Sequence, residues 1–157
     1  MEYMYLLKKY PVLNGYTNEG VVMEDILKYQ NEYNVIFPNA YREFLQLAGN
    51  RCNLLMSMSH FFQFAIERQK YTRETLKDYG VSIGENFWVI ADLDGGEQFD
   101  FFYFNDPDAE DSENPPVYAS YPAYVEDNEP EYPIKKKLAN TFQEYIENKI
   151  QAYANLK

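Results

Sequence analysis

Two apolar, aromatic-rich runs near the middle of the chain constrain its fold more than any other feature. One runs from Phe87 to Ala91 and the other from Phe99 to Phe104, and Gly95-Gly96 lies between them. Short runs of β-branched and aromatic residues on both sides of a glycine turn are typical of a β-hairpin. Nearly every residue of the second run is aromatic. The sequence therefore predicts a hairpin whose second strand contributes to the core on both faces of a sheet.

Helical periodicity is found on both sides of the predicted hairpin. Apolar residues recur at helical spacing from Val22 to Tyr33 and from Pro38 to Ala48, which predicts two helices joined by Asn34 to Phe37. A further helix is predicted from His60 to about Tyr79. The closing helix has one apolar stripe formed by Leu138, Phe142, Tyr145, Ile146, Ile150 and Tyr153.

The start of the closing helix is left open, because Thr141 and Glu144 also fit a capping box inside this stripe. Weaker signals predict a short strand from Arg51 to Met56 and a third strand opening at Pro116-Val117-Tyr118. Helices, a strand meander and a final helix together predict an α+β fold with a mostly antiparallel sheet and helices packed on one side.

A length of 157 residues suits one domain. We expect its core to span about residues 21–153, with the N-terminal residues 1–20 peripheral. No apolar run approaches the roughly 18 residues of a membrane span, and no signal peptide is visible, so a cytoplasmic protein is expected. One Cys and one His exclude an internal disulfide and a Cys/His zinc site, and we expect no cofactor.

The charge is concentrated in one stretch. Residues 78–134 contain fifteen of the 25 acids and neither Lys nor Arg, and the net charge of the whole chain is −11. Such a stretch repels phosphate backbones and anionic membranes, and it favours a basic partner. Two acidic, proline-containing segments within it, Asn105 to Pro116 and Glu126 to Pro133, are predicted surface loops.

A metal-dependent phosphatase is an alternative suggested by one motif. The apolar strand followed by Asp92-Leu93-Asp94-Gly95 resembles the first motif of haloacid-dehalogenase-type phosphatases, in which the first Asp attacks phosphorus. That chemistry needs a nearby cation, but no Lys or Arg lies between Lys77 and Lys135. The spacing also fails for an EF-hand, because Gly95 comes too early. His60 and Cys52 are interpreted as structural residues.

The order and spacing of several segments carry a family resemblance. They begin with Glu32-Tyr33-Asn34-Val35 and end with Phe142 to Ile146, and between them lie Pro38, Tyr41, Phe44-Leu45, Gly49-Asn50, Asp92, Gly95-Gly96-Glu97-Gln98-Phe99 and Pro116-Val117-Tyr118. In this arrangement the chain resembles the SUKH superfamily, which includes fungal cell-wall glucan synthesis regulators and many bacterial immunity proteins.

The resemblance implies an α+β domain without catalytic residues. For bacterial members it also implies binding and neutralisation of a cognate protein toxin, often a nuclease, and for the fungal relatives a regulatory scaffold. An acidic surface complements the basic cleft of a nuclease. We therefore expect no direct nucleic-acid binding and no membrane association, and we expect the toxin to contact Asp92, Asp94, Glu97, Asp106, Asp108, Glu110, Asp111, Tyr118 and Tyr121.

Overall fold

The structure is a computed structural model, and it describes residues 1–54, 62–93, 97–123 and 134–155. The helices are α1 (Tyr5–Lys9), α2 (Met23–Tyr33), α3 (Asn39–Ala48), α4 (Ala65–Asp78), which follows a 3-10 turn at Phe62–Phe64, and α5 (Phe142–Asn155). The strands are β1 (Val12–Leu13), β2 (Tyr16–Thr17), β3 (Phe87–Leu93), β4 (Gln98–Tyr103), β5 (Val117–Ser120) and β6 (Lys136–Ala139). The predicted α+β class is confirmed.

A four-stranded antiparallel sheet in the order β3-β4-β5-β6 forms the centre of the fold. The predicted hairpin is confirmed, since Phe87 pairs with Tyr103 at one end and Leu93 with Gln98 at the other. The register shifts between Val89 and Ala91, which makes a bulge in β3. The first strand runs two residues further than predicted, to Leu93.

Both faces of the sheet are buried, as the aromatic runs predict. The first face carries Trp88, Ile90, Phe102 and Val117, which pack with residues of α1, α2, α3 and α5. The second face carries Phe87, Val89, Phe99, Phe101 and Tyr118, which pack with Leu76 and Ile83. Alternate residues of each strand point to opposite faces, so a run of aromatic residues serves both clusters.

Helix α4 closes the free edge of β3. The Gln69 side chain donates to the Val89 carbonyl at 2.9 Å and accepts from the Val89 N–H at 2.8 Å, and Arg73 Nη2 donates to the Phe87 carbonyl at 3.0 Å. These side chains satisfy groups that a neighbouring strand would otherwise bind. The prediction of helices on one side therefore holds for α1, α2, α3 and α5, whereas α4 runs along the edge and sends Leu76 to the second face.

The N-terminal residues belong to the core, so the expectation of a peripheral segment 1–20 is wrong. Met4 and Leu7 are each 1% exposed, and Leu13 is also buried in the first-face cluster. Glu43 of α3 anchors this segment by accepting hydrogen bonds from the backbone N–H groups of residues 2, 3 and 4, each at 2.8 Å. A carboxylate therefore stabilises the entry into α1, where its charge is favourable.

The chain before the last helix forms a strand that the sequence did not predict. Leu138 was assigned to the helical stripe, but it lies in β6, whose Ala139 pairs with Val117. The helix starts later because the side chains of Thr141 and Glu144 accept hydrogen bonds from backbone N–H groups at its start. Thr141 Oγ1 accepts from the Glu144 N–H at 3.0 Å, and Glu144 accepts from the Asn140 N–H at 2.6 Å.

The remaining weak predictions have mixed outcomes. Arg51 makes an isolated bridge with Glu19, so no strand begins at that residue. Three predicted features lie wholly or partly outside the described ranges: the last two residues of that predicted strand, the second acidic segment and most of the Gly95-Gly96 turn. In the described part of the chain, no helix combines the length and apolar character needed to cross a bilayer.

A close backbone approach fixes the segment before α2. The Val21 N–H donates to the Leu45 carbonyl of α3 at 2.8 Å. A Cβ atom on Gly20 would overlap the backbone carbonyl of Gln46, and backbone atoms cannot move aside as a flexible side chain can. Glycine is therefore required at position 20 by packing.

We predict that Gly20→Ala lowers the free energy of unfolding by about 3 kcal/mol, because overpacking displaces the segment from α3. The matched control is Gly80→Asn, at a left-handed position with open space around it, where a cost under about 1 kcal/mol is expected. Chemical denaturation followed by circular dichroism measures both values. Equal losses in the two variants would contradict the packing argument.

A buried carboxyl group links the sheet to the closing helix. Asp100 is 5% exposed, and its Oδ2 accepts a hydrogen bond from the Tyr145 hydroxyl at 2.6 Å. Burial raises the pKa of Asp100, and the hydrogen bond and the charge of Lys149 only partly oppose that rise. The neutral acid is therefore favoured in the fold more than in the unfolded chain.

The sign of the resulting pH dependence follows from linkage. A raised folded pKa gives stability that is complete below the unfolded pKa and is lost as the pH rises through the folded value. We predict that Asp100→Asn, which keeps the acceptor oxygen, gains free energy of unfolding relative to the native chain between pH 4 and pH 7. Urea denaturation at each pH measures the difference. Glu74→Gln, at an exposed position on α4, is the control and should show no such trend.

Candidate protein-binding site

The predicted contact residues lie at two ends of the sheet. Asp92 and Glu97 lie at the β3–β4 turn, whereas Asp106 to Asp111 follow β4 at its other end. Six residues of extended strand separate the two groups by on the order of 20 Å. Asp94 lies outside the described residues, and Tyr121 is half-buried just after β5. The structure therefore does not bring all the candidates together.

Two of the candidates are internal. Asp106 is 8% exposed and Tyr118 4% exposed, and the Tyr118 hydroxyl donates to Asp106 Oδ2 at 2.8 Å. Burial and this carboxylate raise the pKa of Tyr118. Asp106 Oδ1 also accepts from the Asp108 N–H at 2.9 Å. Both residues hold the loop in place and expose little surface, so we leave them out of the contact surface proposed below.

The loop from residue 105 to residue 116, called the acidic loop below, is bound to two helices. Glu113 accepts a hydrogen bond from the Asn39 N–H at 2.7 Å, and its backbone carbonyl accepts from the Ala40 N–H at 2.9 Å. Pro38 supplies no side-chain cap, so Glu113 satisfies the first turn of α3 from a distant part of the chain. Asn114 does the same for α5 by accepting from the Gln143 N–H at 2.9 Å.

The N-terminal segment borders the acidic loop. The Tyr3 hydroxyl donates to Asp111 Oδ2 at 2.8 Å, and this hydrogen bond, with partial burial, raises the pKa of Tyr3 to about 12. Glu2 and Glu113 add to that rise through their negative charges. Carboxylates from two distant parts of the sequence thus meet at the same end of the molecule.

A groove of about 350 Å³ opens beside the acidic loop. It is lined by residues 34–38, Asn86, Phe104, Asn105, Ser112 and Glu113. Ile36, at its rim, is 79% exposed, the largest value among the exposed large hydrophobic side chains of the described residues. Asn34 and Asn105 have positive φ, which turns the chain sharply at the end of α2 and after β4. The walls are therefore formed by loops fixed to α3 and the sheet.

The carboxylates of the acidic loop do not pair with described cations. Asp108, Glu110, Asp111 and Glu113 form no ion pair with any Lys or Arg in the described ranges. Arg42, on the first turn of α3, is directed to Asn39 Oδ1. Most of these acids are exposed, so the surface has a negative potential available to a partner.

Three members of this surface were missed by sequence reasoning. Glu113 lies in the acidic stretch but was not chosen, Ile36 follows a helix without any special motif, and Tyr3 belongs to the segment expected to be peripheral. No local sequence pattern identifies Ile36 or Tyr3, because only the fold brings residues 3, 36 and 113 to the same end.

The phosphatase alternative lacks its framework. Asp92 lies in an antiparallel sheet, whereas the phosphatase motif belongs to a parallel α/β domain. Burial lowers the pKa of Arg68, and the negative charge of nearby Asp92 partly opposes that lowering.

The other residues considered for chemistry are Cys52 and His60. Cys52 is buried, and His60 lies outside the described ranges. Among the residues that can be described, no three His, Cys, Asp or Glu could hold a metal ion.

We predict that Glu113→Ala lowers the free energy of unfolding by about 1 kcal/mol, because the Asn39 N–H loses its acceptor. Glu113→Gln keeps an acceptor oxygen and should recover most of the loss. Asp108→Ala, at an exposed neighbour in the same loop, should cost only a few tenths of a kcal/mol. Urea denaturation gives the three values, and hydrogen exchange at the Asn39 amide reports on the helix end. Equal effects at 108 and 113 would rule out the cap.

Comparison with known proteins supports the resemblance. No curated protein matches this chain. The model of the SMI1 / KNR4 family (SUKH-1) matches residues 20–148, which include the central sheet, the acidic loop and the first half of the closing helix. The chain belongs to the SMI1 / KNR4 family (SUKH-1).

Proposed function

We propose that this protein is a non-catalytic, immunity-type protein that binds and neutralises a basic protein toxin. The observation that carries the proposal is the groove beside the acidic loop, which is lined by exposed Ile36 and by Glu113, while no described cation pairs with Glu113 or with the exposed acids of the loop. An apolar contact surrounded by charge of one sign is typical of a protein-binding surface.

The acidic loop supplies the long-range attraction in this proposal. Asp108, Glu110 and Asp111 are exposed, and the whole chain carries a net charge of −11. Complementary charge accelerates the encounter of two proteins and disfavours partners of the wrong sign. A nuclease carries a basic cleft for phosphates, so it is the kind of toxin that this surface fits.

Occlusion of the toxin needs no chemistry on the immunity protein. Asp106, Asp111 and Glu113 hold the acidic loop through hydrogen bonds within the molecule, so a partner meets a surface that is already formed. Such a surface loses little conformational entropy on binding. The proposal therefore assigns recognition to the end of the sheet where β4 terminates, and not to the β3–β4 turn.

The probe is a toxin encoded by a gene adjacent to the one for this protein, which the proposed function requires. We predict that the double variant Asp108→Asn/Glu110→Gln weakens its binding about fivefold at low ionic strength, because two exposed charges each contribute roughly 0.2–1 kcal/mol. Isothermal titration calorimetry measures the dissociation constant, and stopped-flow mixing should show that most of the change is in the association rate.

Glu97→Gln is the matched control, since Glu97 is an exposed acid at the opposite end of β4. It should leave the affinity unchanged. A loss in the control with none in the double variant would move the surface to the β3–β4 turn. Absence of binding to the neighbouring toxin at any salt concentration would overturn the proposed function.

A further inference from the structure

We infer that the groove beside the acidic loop is a receptor for one arginine side chain of the partner. This inference rests on the proposed function and specifies which partner group enters the site. A volume of about 350 Å³ is at the lower end of the range for ligand pockets, which suits a single long side chain better than a large cofactor.

The groove offers apolar walls to the stem and plane of such a side chain. Ile36 is 79% exposed at the rim, Phe104 is half-buried, and Pro38 is buried in the wall. Phe104 is held in place because its N–H donates to the Asn86 carbonyl at 2.9 Å. A guanidinium group is planar and stacks on aromatic and apolar surfaces, whereas its methylene stem buries apolar area.

Two side chains of the groove, Glu113 and Asn86, each offer an acceptor oxygen. Glu113 binds Asn39 through Oε2, which leaves Oε1 for a second donor. Asn86 uses its Nδ2 to donate to the Phe104 carbonyl at 2.9 Å, so its side-chain oxygen remains an acceptor. Asp111, whose Oδ2 binds Tyr3, adds negative charge beyond the rim. A cation with several N–H donors satisfies this arrangement, and an anion does not.

Arginine fits the groove better than lysine because the acceptors belong to separate elements. Asn86 precedes β3 and Glu113 belongs to the acidic loop, so one occupant must reach both through different N–H groups. The guanidinium fork presents five donors in a plane, whereas an ammonium group is a compact point charge that is strongly hydrated.

The test uses the full chain and a small probe, so it does not depend on identifying the toxin. N-acetyl-arginine amide is titrated into the ¹⁵N-labelled protein, and N-acetyl-citrulline amide, which has the same shape without the charge, is titrated in parallel. Saturable shifts of the Ile36, Asn86, Asn105 and Glu113 amides, with a millimolar dissociation constant for arginine and at least fivefold weaker binding of citrulline, are expected.

Two variants keep the inference falsifiable. Ile36→Ala removes an exposed side chain and should not disturb folding, and Glu113→Gln keeps the acceptor for α3; each should weaken arginine binding at least threefold. Glu97→Gln should not change it. Equal binding of arginine and citrulline, or arginine shifts that avoid the groove or survive both variants, would overturn the inference. The toxin titration above can still succeed in that case, which separates failure of the groove from failure of the proposed function.

Discussion

Burial of both faces of β3 and β4 is the constraint on which the rest of the structure depends. Trp88 and Phe102 must be covered on one side, and Phe87, Phe99 and Phe101 on the other. Four helices cover the first face. The free edge of β3 is closed by Gln69 and its neighbours on α4, so the central hairpin is enclosed on three sides. The end of the sheet that follows β4 is covered by loops.

The acidic loop has a structural function that its charge alone does not suggest. Glu113 and Asn114 satisfy the first turns of α3 and α5, and Asp106 binds a tyrosine of the sheet. A run of like charges gives no reason to fold, but each hydrogen bond that a carboxylate accepts from a helix N-terminus stabilises by about 1 kcal/mol. Some acids of the loop therefore form hydrogen bonds within the molecule, and the others are exposed to solvent.

The elements that sequence reasoning found are those whose pattern is local. The α2–α3 pair and the hairpin depend on residues a few positions apart, and both were predicted; the Thr141–Glu144 cap is equally local and was one of two alternatives for the start of α5. Strand β6 was missed, because Lys136 and Lys137 have weak strand preference and only pairing with β5 makes them a strand. The lysine that precedes this strand also contacts the sheet, since Lys135 Nζ lies 5.0 Å from the ring centroids of both Tyr103 and Tyr118.

The candidate site was predictable only in part, because some of its residues are adjacent in sequence and others are brought together only by the fold. Asp108, Glu110 and Asp111 are adjacent in sequence, so their negative charge was visible from composition. They lie at the opposite end of β4 from Asp92 and Glu97. This position depends on the register of the hairpin, which cannot be read from composition. Ile36 is brought to the acidic loop by tertiary contacts, chiefly the bonds from Glu113 to the start of α3.

In the proposed binding surface, the charge of the acidic loop and the shape of the groove would contribute differently to recognition. Exposed carboxylates act over about 8 Å at physiological salt and mainly raise the association rate, whereas a groove acts only at contact and mainly lowers the dissociation rate. Related proteins with the same fold can therefore keep a negative surface and still differ in partner. Substitutions at Ile36 and Phe104 would alter the groove without changing the charge, and the helix cap from Glu113 would keep the site in place.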